Sequence, residues 1–396
     1  MHDPLLKKPR VLRGIIVLAA VFVVAGLACI GFLNQRIMEP IVQGPGVTRI
    51  GYLSDYLPNL ASTPAQNSEV YYLDSGKPGA TVLIYSSHPC EPSPLLEATM
   101  IIEKAKVSTG RLIVIPRAVR SGYEDMQPGL GYIERYHITQ PGGTVRWFRN
   151  GGRTTAQRLQ WPLPTIAAHY PSKQTLADME SLNLNRCMPG RPDGTLTERT
   201  AYAICEIIRK EKVLVVIDNH EAPPDRPLVE AVCVSQETLP LGAESVLNLE
   251  LNYGIKWRLE LSPVNLRGLS HQEISRATDA LAMLHETASP MHGPISGMKT
   301  EALLLTGWDE YELRAAKAKR VFCQYDEKGK PIELRVGQKI AFLASLQEAI
   351  NANYPDQQLV VENLPSFDDI LANGVGAYLA VVNEPEPKQY LIKYLF

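Results

Sequence analysis

Three short apolar segments, each followed by polar residues, are the feature that most limits the fold of this chain. Residues 82–85 and 111–115 have the length and composition of buried strands, and the segment between them has the spacing of a helix. Residues 213–217 form the clearest buried strand of the chain. Strands that alternate with helices predict an α/β protein with a largely parallel sheet. The same patterns predict further strands at 245–251, 256–261 and 302–305, and helices near 271–286, 309–320 and 338–352.

Histidine and glutamate side chains follow two of these strands. His88 and Glu91 come after the first strand, and His220 follows the run at 213–217. Ligand sites in open α/β sheets lie at the carboxyl ends of strands, so the three side chains converge if the two strands are neighbours. Two histidines and one carboxylate leave the fourth position of a zinc ion open, which is the catalytic arrangement. The sequence therefore predicts a zinc site, with Asp218 as a residue that orients it.

The N-terminus carries a separate signal. Residues 14–33 are twenty residues without a charge, which is about the length needed to cross a bilayer as a helix. Four basic residues precede this run and only Arg36 follows it closely. This asymmetry predicts a cytoplasmic N-terminus, with the rest of the chain outside the cytoplasm, in the periplasm. A cleaved signal peptide and lipidation at Cys29 are the alternatives.

Net charge and loop content add to the predicted domain organisation. The net charge of −2 gives no basic field, so nucleic-acid binding is not expected. Residues 116–195 are rich in Gly, Pro and Arg and predict functional loops. The predicted segments are a cytoplasmic N-terminus at 1–13, a transmembrane helix at 14–33, a linker at 34–70, a catalytic domain at 71–325, and a C-terminal helix with a strand-rich element at 326–396.

The segment Asn-Leu-Asn-Arg-Cys-Met-Pro-Gly at 183–190 is the most specific motif. Together with His-x-x-Glu at 88–91, Gly-Thr-Leu-Thr-Glu-Arg at 194–199 and Asp-x-His-Glu at 218–221, it resembles the succinylglutamate desuccinylase/aspartoacylase family of zinc carboxypeptidase-like hydrolases. The resemblance runs from about residue 80 to 320. It implies a mixed, mostly parallel sheet with helices on both faces, and it implies that the metal ligands are His88, Glu91 and His220.

The resemblance also implies that Asn185 and Arg186 hold a carboxylate of the substrate. The chemistry agrees, because the planar guanidinium of arginine suits bidentate carboxylate recognition. The chain departs from the family pattern in three places. Asn183 stands where relatives commonly have Asp, Met188 replaces an aromatic residue, and Cys90 lies between two ligands. Cys90 is a candidate fourth ligand or a packing residue, and its position on the same turn as His88 disfavours a cysteine hydrolase.

A hydrolase of this kind needs a general base and a positive group for the oxyanion. In the family the base is a glutamate on a late strand, and Glu301 has the expected order and context. Glu260 and Glu221 are the rival bases. Arg153 is the first candidate for the oxyanion and Arg117 the second.

These observations predict a membrane-anchored zinc hydrolase that cuts an amide bond near a carboxylate. The expected substrate is a short peptide or an N-acyl amino acid, and an extracytoplasmic location makes cell-wall peptides a hypothesis. The alternative is a zinc- or ligand-binding protein that keeps the fold without turnover. The departures around Cys90 and the uncertain base leave that alternative open.

Overall fold

The computed structural model describes residues 9–34, 36–124, 133–163, 166–382 and 385–387. The chain divides into two compact units, one comprising Met1–Glu39 with Asn383–Phe396 and the other Pro40–Val382. The first unit contains helix α1 (Pro9–Asn34), which includes an 18-residue stretch with a mean hydropathy of 2.9. A helix of this length and composition is able to span a membrane, although a signal sequence has the same properties.

The second unit contains the remaining helices and all the strands of the described residues. The strands are β1 (Arg49–Tyr52), β2 (Glu69–Asp74), β3 (Thr81–Tyr85), β4 (Lys106–Thr109), β5 (Arg111–Ile115), β6 (Arg135–Thr139), β7 (Val145–Arg149), β8 (Ile166–Ala168), β9 (Thr175–Ala177), β10 (Val215–Ala222), β11 (Ala231–Val234), β12 (Arg258–Leu261), β13 (Leu281–Ala288) and β14 (Val360–Glu362). The helices are α2 (Pro92–Lys104), α3 (Leu196–Lys210), α4 (Leu239–Tyr253), α5 (Ser270–Ala277), α6 (Glu301–Thr306), α7 (Glu310–Lys317), α8 (Ile332–Asn353) and α9 (Phe367–Asn373).

Eight strands form the central sheet in the order β1-β2-β5-β3-β10-β13-β11-β12. The four central strands β5, β3, β10 and β13 are mutually parallel, and the strands on either side of them, β2 and β11, run antiparallel to them. All five residues of β3 and all eight of β10 are buried, as expected for strands covered by helices on both faces. The expected mixed, mostly parallel sheet with flanking helices is therefore confirmed.

Side-chain alternation divides the helices between the two faces of the sheet. On one face, Val216 of β10 and Ala282 of β13 share a hydrophobic core with α3 and α5. On the other face, His285 of β13 packs on Phe342 of α8, with ring centroids 4.6 Å apart. Because alternate residues of a strand point to opposite faces, Asp218 and His220 lie on the α3–α5 side of β10, as Val216 does.

Several predicted elements are wrong in type. Residues 245–251 belong to helix α4 and residues 302–305 to helix α6. Leu247, Leu249 and Leu251 alternate with polar residues and so resemble a strand, but in the helix only Leu249 is fully buried. The predicted helix at 271–286 is in fact helix α5 followed by strand β13. In the predicted strand-rich tail, β14 pairs with β4 and α9 is helical, while residues 388–396 lie outside the described residues.

Candidate metal centre

A tight turn between β3 and α2 brings His88 and Glu91 together. The backbone N–H of Glu91 donates to the carbonyl of His88 at 3.2 Å, which closes the turn. Glu91 is the last residue before α2, and Pro92 occupies the first helical position, where its missing N–H costs no hydrogen bond. The ring Nδ1 of His88 then lies 2.8 Å from Glu91 Oε1. The backbone turn therefore brings the two side chains of the His-x-x-Glu motif into contact.

Strand pairing supplies the third side chain. β10 runs parallel to β3 and carries His220 two residues beyond Asp218, which is paired with Tyr85 at the end of β3. His220 Nδ1 lies 3.0 Å from His88 Nδ1 and 3.3 Å from Glu91 Oε2. The sheet thus places the second histidine against the turn, as the two strand ends predict.

The donor atoms of His88, Glu91 and His220 fit a zinc ion. All three side chains are buried, and one ligand atom from each lies within 4.8 Å of the others. Tetrahedral nitrogen ligands at about 2.0–2.1 Å from zinc are roughly 3.3 Å apart, close to the spacing found between these atoms. Two imidazole nitrogens that face one carboxylate form a donor set that could hold a metal ion.

Polar contacts on the side away from Glu91 orient both imidazole rings. His88 Nε2 is 3.0 Å from Asn183 Oδ1, and His220 Nε2 is 3.0 Å from Asp218 Oδ2. Asp218 also accepts hydrogen bonds from the backbone N–H and the hydroxyl of Ser87, at 3.0 and 2.8 Å. Ring nitrogens that do not face the metal are commonly fixed in this way. Each Nδ1 therefore points toward the carboxylate of Glu91.

The charged surroundings shift the pKa values of these groups in opposite directions. Burial and the guanidinium of Arg153 lower the pKa of His88 to about 4. Burial also lowers the pKa of His220, but the carboxylates of Asp218 and Glu91 outweigh it and raise that pKa to about 10. Burial raises the pKa of Glu91, yet the two histidines outweigh that effect and hold the pKa well below its usual range.

Glu286 is a partly buried carboxyl group that is not among the residues predicted from the sequence. It lies on β13 and is paired in register with His220 on the parallel strand β10, so both side chains point to the same face. Burial raises the pKa of Glu286 to about 7, against the lowering effect of His220. Its Oε2 accepts no hydrogen bond from the described residues. A carboxyl group beside the donor set, with a pKa near neutrality, has the properties of a general base.

A signal for Glu286 was present in the sequence. The apolar residues 281–284 are followed by His-Glu-Thr, which repeats the order of an apolar run and then polar residues seen at His88 and His220. The predicted helix at 271–286 covered this run and concealed the strand.

The three predicted bases lie in different surroundings. Glu301 begins helix α6 rather than lying on a strand, and its Oε1 accepts hydrogen bonds from the backbone N–H and ring Nδ1 of His137, both at 2.8 Å. Glu260 is on β12, the last strand of the sheet order. Glu221 Oε1 binds Arg335 Nη1 at 2.7 Å. Burial raises the pKa of Glu221, but Arg335 and His292 outweigh it and lower that pKa to about 2.

Two predicted arginines lie near the donor set or the motif at 183–190. Arg153 Nη1 is 3.8 Å from Glu91 Oε1, so its positive charge borders the metal centre. Arg186 Nη1 donates to the carbonyl of Asn185, and its Nε lies 3.1 Å from Glu180 Oε2. The side-chain Oδ1 of Asn185 accepts from the backbone N–H of Ser270 at 2.8 Å, which ties the motif to α5.

Arg117 and Cys90 are the remaining candidates from the sequence. Arg117 is buried and pairs with Glu69, whose Oε2 is 3.3 Å from Arg117 Nη1. Cys90 is buried, and burial raises the pKa of its thiol, which disfavours a thiolate. The group of donors that could hold a metal contains His88, Glu91 and His220 without Cys90.

Comparisons with known proteins give matches among solved structures. No protein-family model matches the sequence, and no curated protein matches it. The chain is similar to a succinylglutamate desuccinylase from Silicibacter sp. TM1040 at 16% identity and a TM-score of 0.34, covering 60% of this chain and 57% of that one. It thus spans less than two thirds of the length of that structure.

Two further structures are similar over more of the chain. One is the tripeptide-bound cell shape determinant Csd4 from Helicobacter pylori, at 11% identity and a TM-score of 0.42, with 77% of this chain and 59% of that one covered. The other is a metallo-carboxypeptidase from Burkholderia cenocepacia, at 12% identity and a TM-score of 0.41, with 76% and 68% covered. Among these similar structures is a member of the family that the motifs of this chain resemble.

Proposed function

We propose that this chain is a metal-dependent hydrolase, with zinc as the metal, that cuts an amide bond near a carboxylate of its substrate. The observation that carries the proposal is the convergence of His88, Glu91 and His220 on one point, with the carboxyl group of Glu286 on the neighbouring strand. Three protein ligands and an open fourth position are typical of catalytic rather than structural zinc sites.

Each nearby side chain has a proposed role in the reaction. Zinc, when bound, would polarise the substrate carbonyl and acidify a water molecule. Glu286 takes a proton from the attacking water and passes it to the leaving nitrogen, a role that its pKa of about 7 suits. We propose Glu286 for this role in place of Glu301, because Glu301 is bound to His137 on β6.

Positive groups around the centre are proposed to bind the charged parts of the substrate. Arg153 borders Glu91, and we propose that it stabilises the negative charge that develops on the carbonyl oxygen. Arg186 and Asn185 are proposed to hold the substrate carboxylate. The Arg186 side chain is 30% exposed, so part of its guanidinium is accessible to a ligand. A short peptide or an N-acyl amino acid has the required combination of amide and carboxylate.

The proposed location follows from helix α1. We propose that this helix anchors the protein in a membrane with the catalytic unit outside the cytoplasm, as the basic residues before it indicate. Peptides of the cell wall are then a substrate class within reach of the enzyme.

The test is hydrolysis by the full-length chain, purified in detergent and loaded with zinc. N-acyl amino acids and short peptides with a free carboxylate are compared with the same compounds carrying a terminal amide. We expect release of amine from the free acids, a strong reduction for the amides, and no release by His88→Ala. If the zinc-loaded protein cuts neither set, the proposal is contradicted and the binding-protein alternative is favoured.

A further inference from the structure

The buried side chain of Asn183 connects the metal centre to a carboxylate at the surface. Its Oδ1 accepts a hydrogen bond from the backbone N–H of Asn185 at 3.0 Å and lies 3.0 Å from His88 Nε2. Its Nδ2 donates to Glu180 Oε2 at 3.1 Å. A backbone N–H can only donate and a carboxylate can only accept, so these two neighbours leave the amide one orientation.

That orientation determines which nitrogen of His88 carries the proton. Since Asn183 Oδ1 is an acceptor, His88 Nε2 must be the donor of the bond between them. In a neutral imidazole the lone pair is then on Nδ1. This is the nitrogen that faces Glu91 and the Nδ1 of His220. The amide of Asn183 therefore selects the nitrogen that is available to a metal.

One carboxylate oxygen of Glu180 contacts both Asn183 and Arg186. Glu180 Oε2 lies 3.1 Å from Arg186 Nε as well as from Asn183 Nδ2. Glu180 is half-exposed, whereas Asn183 is fully buried. The negative charge of Glu180 is therefore separated from His88 by the amide of Asn183, whereas a carboxylate at position 183 would contact His88 directly.

We propose that Glu180 is a positioning residue that acts through Asn183: it fixes the amide, and thereby the tautomer of His88, and supplies the negative charge that the neutral side chain of Asn183 lacks. The proposal rests on the ligand set of the proposed function. An anion at the end of a hydrogen-bonded chain polarises each bond in it, which makes His88 Nδ1 a stronger donor to a metal.

In this arrangement, the effect of a substitution at position 183 depends on which residue occupies position 180. A carboxylate at position 183 would accept from His88 directly but could not donate to Glu180. Two carboxylates would then face each other across about the present 3.1 Å, and they would repel. Asn183→Asp is therefore expected to be harmful while Glu180 is present and harmless once Glu180 is neutral.

Zinc affinity of the full-length chain tests this dependence without any measurement of hydrolysis. The dissociation constant is measured by competition with a chelator for the wild type, Glu180→Gln, Asn183→Asp and the double variant. We expect each single variant to bind zinc about threefold to tenfold more weakly, at or below the effect usual for partners of metal ligands. The double variant should return to within about twofold of the wild type.

The matched control is Glu206→Gln on α3, which removes a carboxylate paired with Arg209 at 2.7 Å and should leave zinc affinity unchanged. An unchanged affinity in Glu180→Gln, or a double variant weaker than both single variants, would overturn the proposal. If the wild type binds zinc and shows this dependence but cuts no amide, the proposed hydrolase fails while the positioning role stands.

The tautomer itself is measured on the metal-free protein with nitrogen-15-labelled histidine. The chemical shifts of His88 should show a protonated Nε2 in the wild type and a mixture of tautomers in Glu180→Leu, where Asn183 Nδ2 loses its acceptor. A His88 signal without a proton on Nε2 in the wild type, or one unchanged in Glu180→Leu, would contradict the role of Glu180; a second proton on Nδ1, which faces the Glu91 carboxylate at 2.8 Å, would not. This readout applies even if zinc binding is not observed.

Discussion

Glu286 and Glu301 differ in what surrounds their carboxyl groups. Glu286 is partly buried on the face of the sheet that carries His220, and the loss of solvation there raises its pKa to about 7. Glu301 is partly exposed and accepts two hydrogen bonds from His137. A proton carrier needs a carboxyl group beside the reacting atoms, so the surroundings favour Glu286.

The first prediction compares these two glutamates. Glu286→Gln should lower kcat/KM by about 10²- to 10⁴-fold, the usual contribution of a general base, while zinc content stays unchanged. Glu301→Gln should change kcat/KM by less than about threefold because its partner lies on β6. Initial rates and metal analysis on both variants provide the check. The reverse pattern, with Glu301 essential and Glu286 dispensable, would restore the assignment made from sequence.

At the residue scale, the sequence identifies the candidate residues that come directly after a recognisable buried strand. His88, Glu91 and His220 are predicted because apolar runs precede them, and in the structure their donor atoms converge. Glu286 is missed because the run before it was interpreted as helical. The link from Glu180 through Asn183 to His88 is also missed, since residues 88 and 183 approach each other only in the folded chain.

Helix α8 fixes the end of strand β10 by buried charges. Lys339 Nζ donates to the carbonyl of His220 at 2.9 Å, and Arg335 Nη1 pairs with Glu221 Oε1 at 2.7 Å. Arg335, Lys339 and Glu221 are all buried. The strand that carries His220 is therefore held from the face opposite to the metal centre by a helix from the C-terminal part of the chain.

The second prediction removes one member of the buried pair. Arg335→Met should lower the free energy of unfolding by about 3–5 kcal/mol, because the buried Glu221 would lose its arginine partner and, among the described residues, keep only His292 and the N–H of Ser93. Denaturant unfolding of the full-length chain in detergent measures the change. Arg314→Met is the matched control, because its pair with Glu310 is exposed and should contribute at most about 1 kcal/mol. Equal effects of the two variants would contradict the importance of burial.

The third prediction concerns Glu312 on α7. Burial, together with the nearby carboxylates of Asp225 and Asp309, raises the pKa of Glu312 to about 7, and Lys299 opposes this shift. Because the folded chain holds this proton more tightly than the unfolded chain, the contribution of Glu312 to stability is complete below about pH 4.5 and declines as the pH rises to 7.

Glu312→Gln should remove that decline and raise the free energy of unfolding at pH 8 by about 1–2 kcal/mol relative to the wild type. The difference between the two proteins should disappear near pH 4. Denaturant unfolding at several pH values measures it. A variant that is less stable than the wild type at pH 8 would show that the charged form of Glu312 is stabilising instead.

At the scale of elements, periodicity predicts the buried strands and misassigns the half-exposed segments. β3, β5 and β10 are buried on both faces, so their apolar runs are unambiguous. Residues 245–251 alternate in polarity as a strand would, yet they form part of helix α4, which is followed by Gly254 with a φ of 66°. Glycine tolerates this left-handed conformation, and it terminates the helix. A short segment of leucines that alternate with polar residues therefore does not distinguish a strand from a helix.

For the whole molecule, the central expectation is one catalytic unit and one anchoring helix. The fourth prediction is that the full-length chain stays with membranes after alkaline extraction and keeps its original N-terminus, because α1 has the length and hydropathy of a span. Replacing Val17→Arg and Val21→Arg together should release it, since each arginine costs about 2.5–3.5 kcal/mol on insertion. Fractionation and N-terminal sequencing measure both. A wild-type chain that is shortened beyond α1 would identify the helix as a signal sequence.

The central claim is that His88, Glu91 and His220 form one metal site, and metal content tests it most directly. Zinc is measured in the full-length wild type, in His88→Ala, and in His137→Ala, whose ring pairs with Glu301 outside the three-residue set. We predict about one zinc ion per chain in the wild type and in His137→Ala, and almost none in His88→Ala. A wild type without zinc even after the metal is added, or a His88→Ala variant that retains it, would contradict the account.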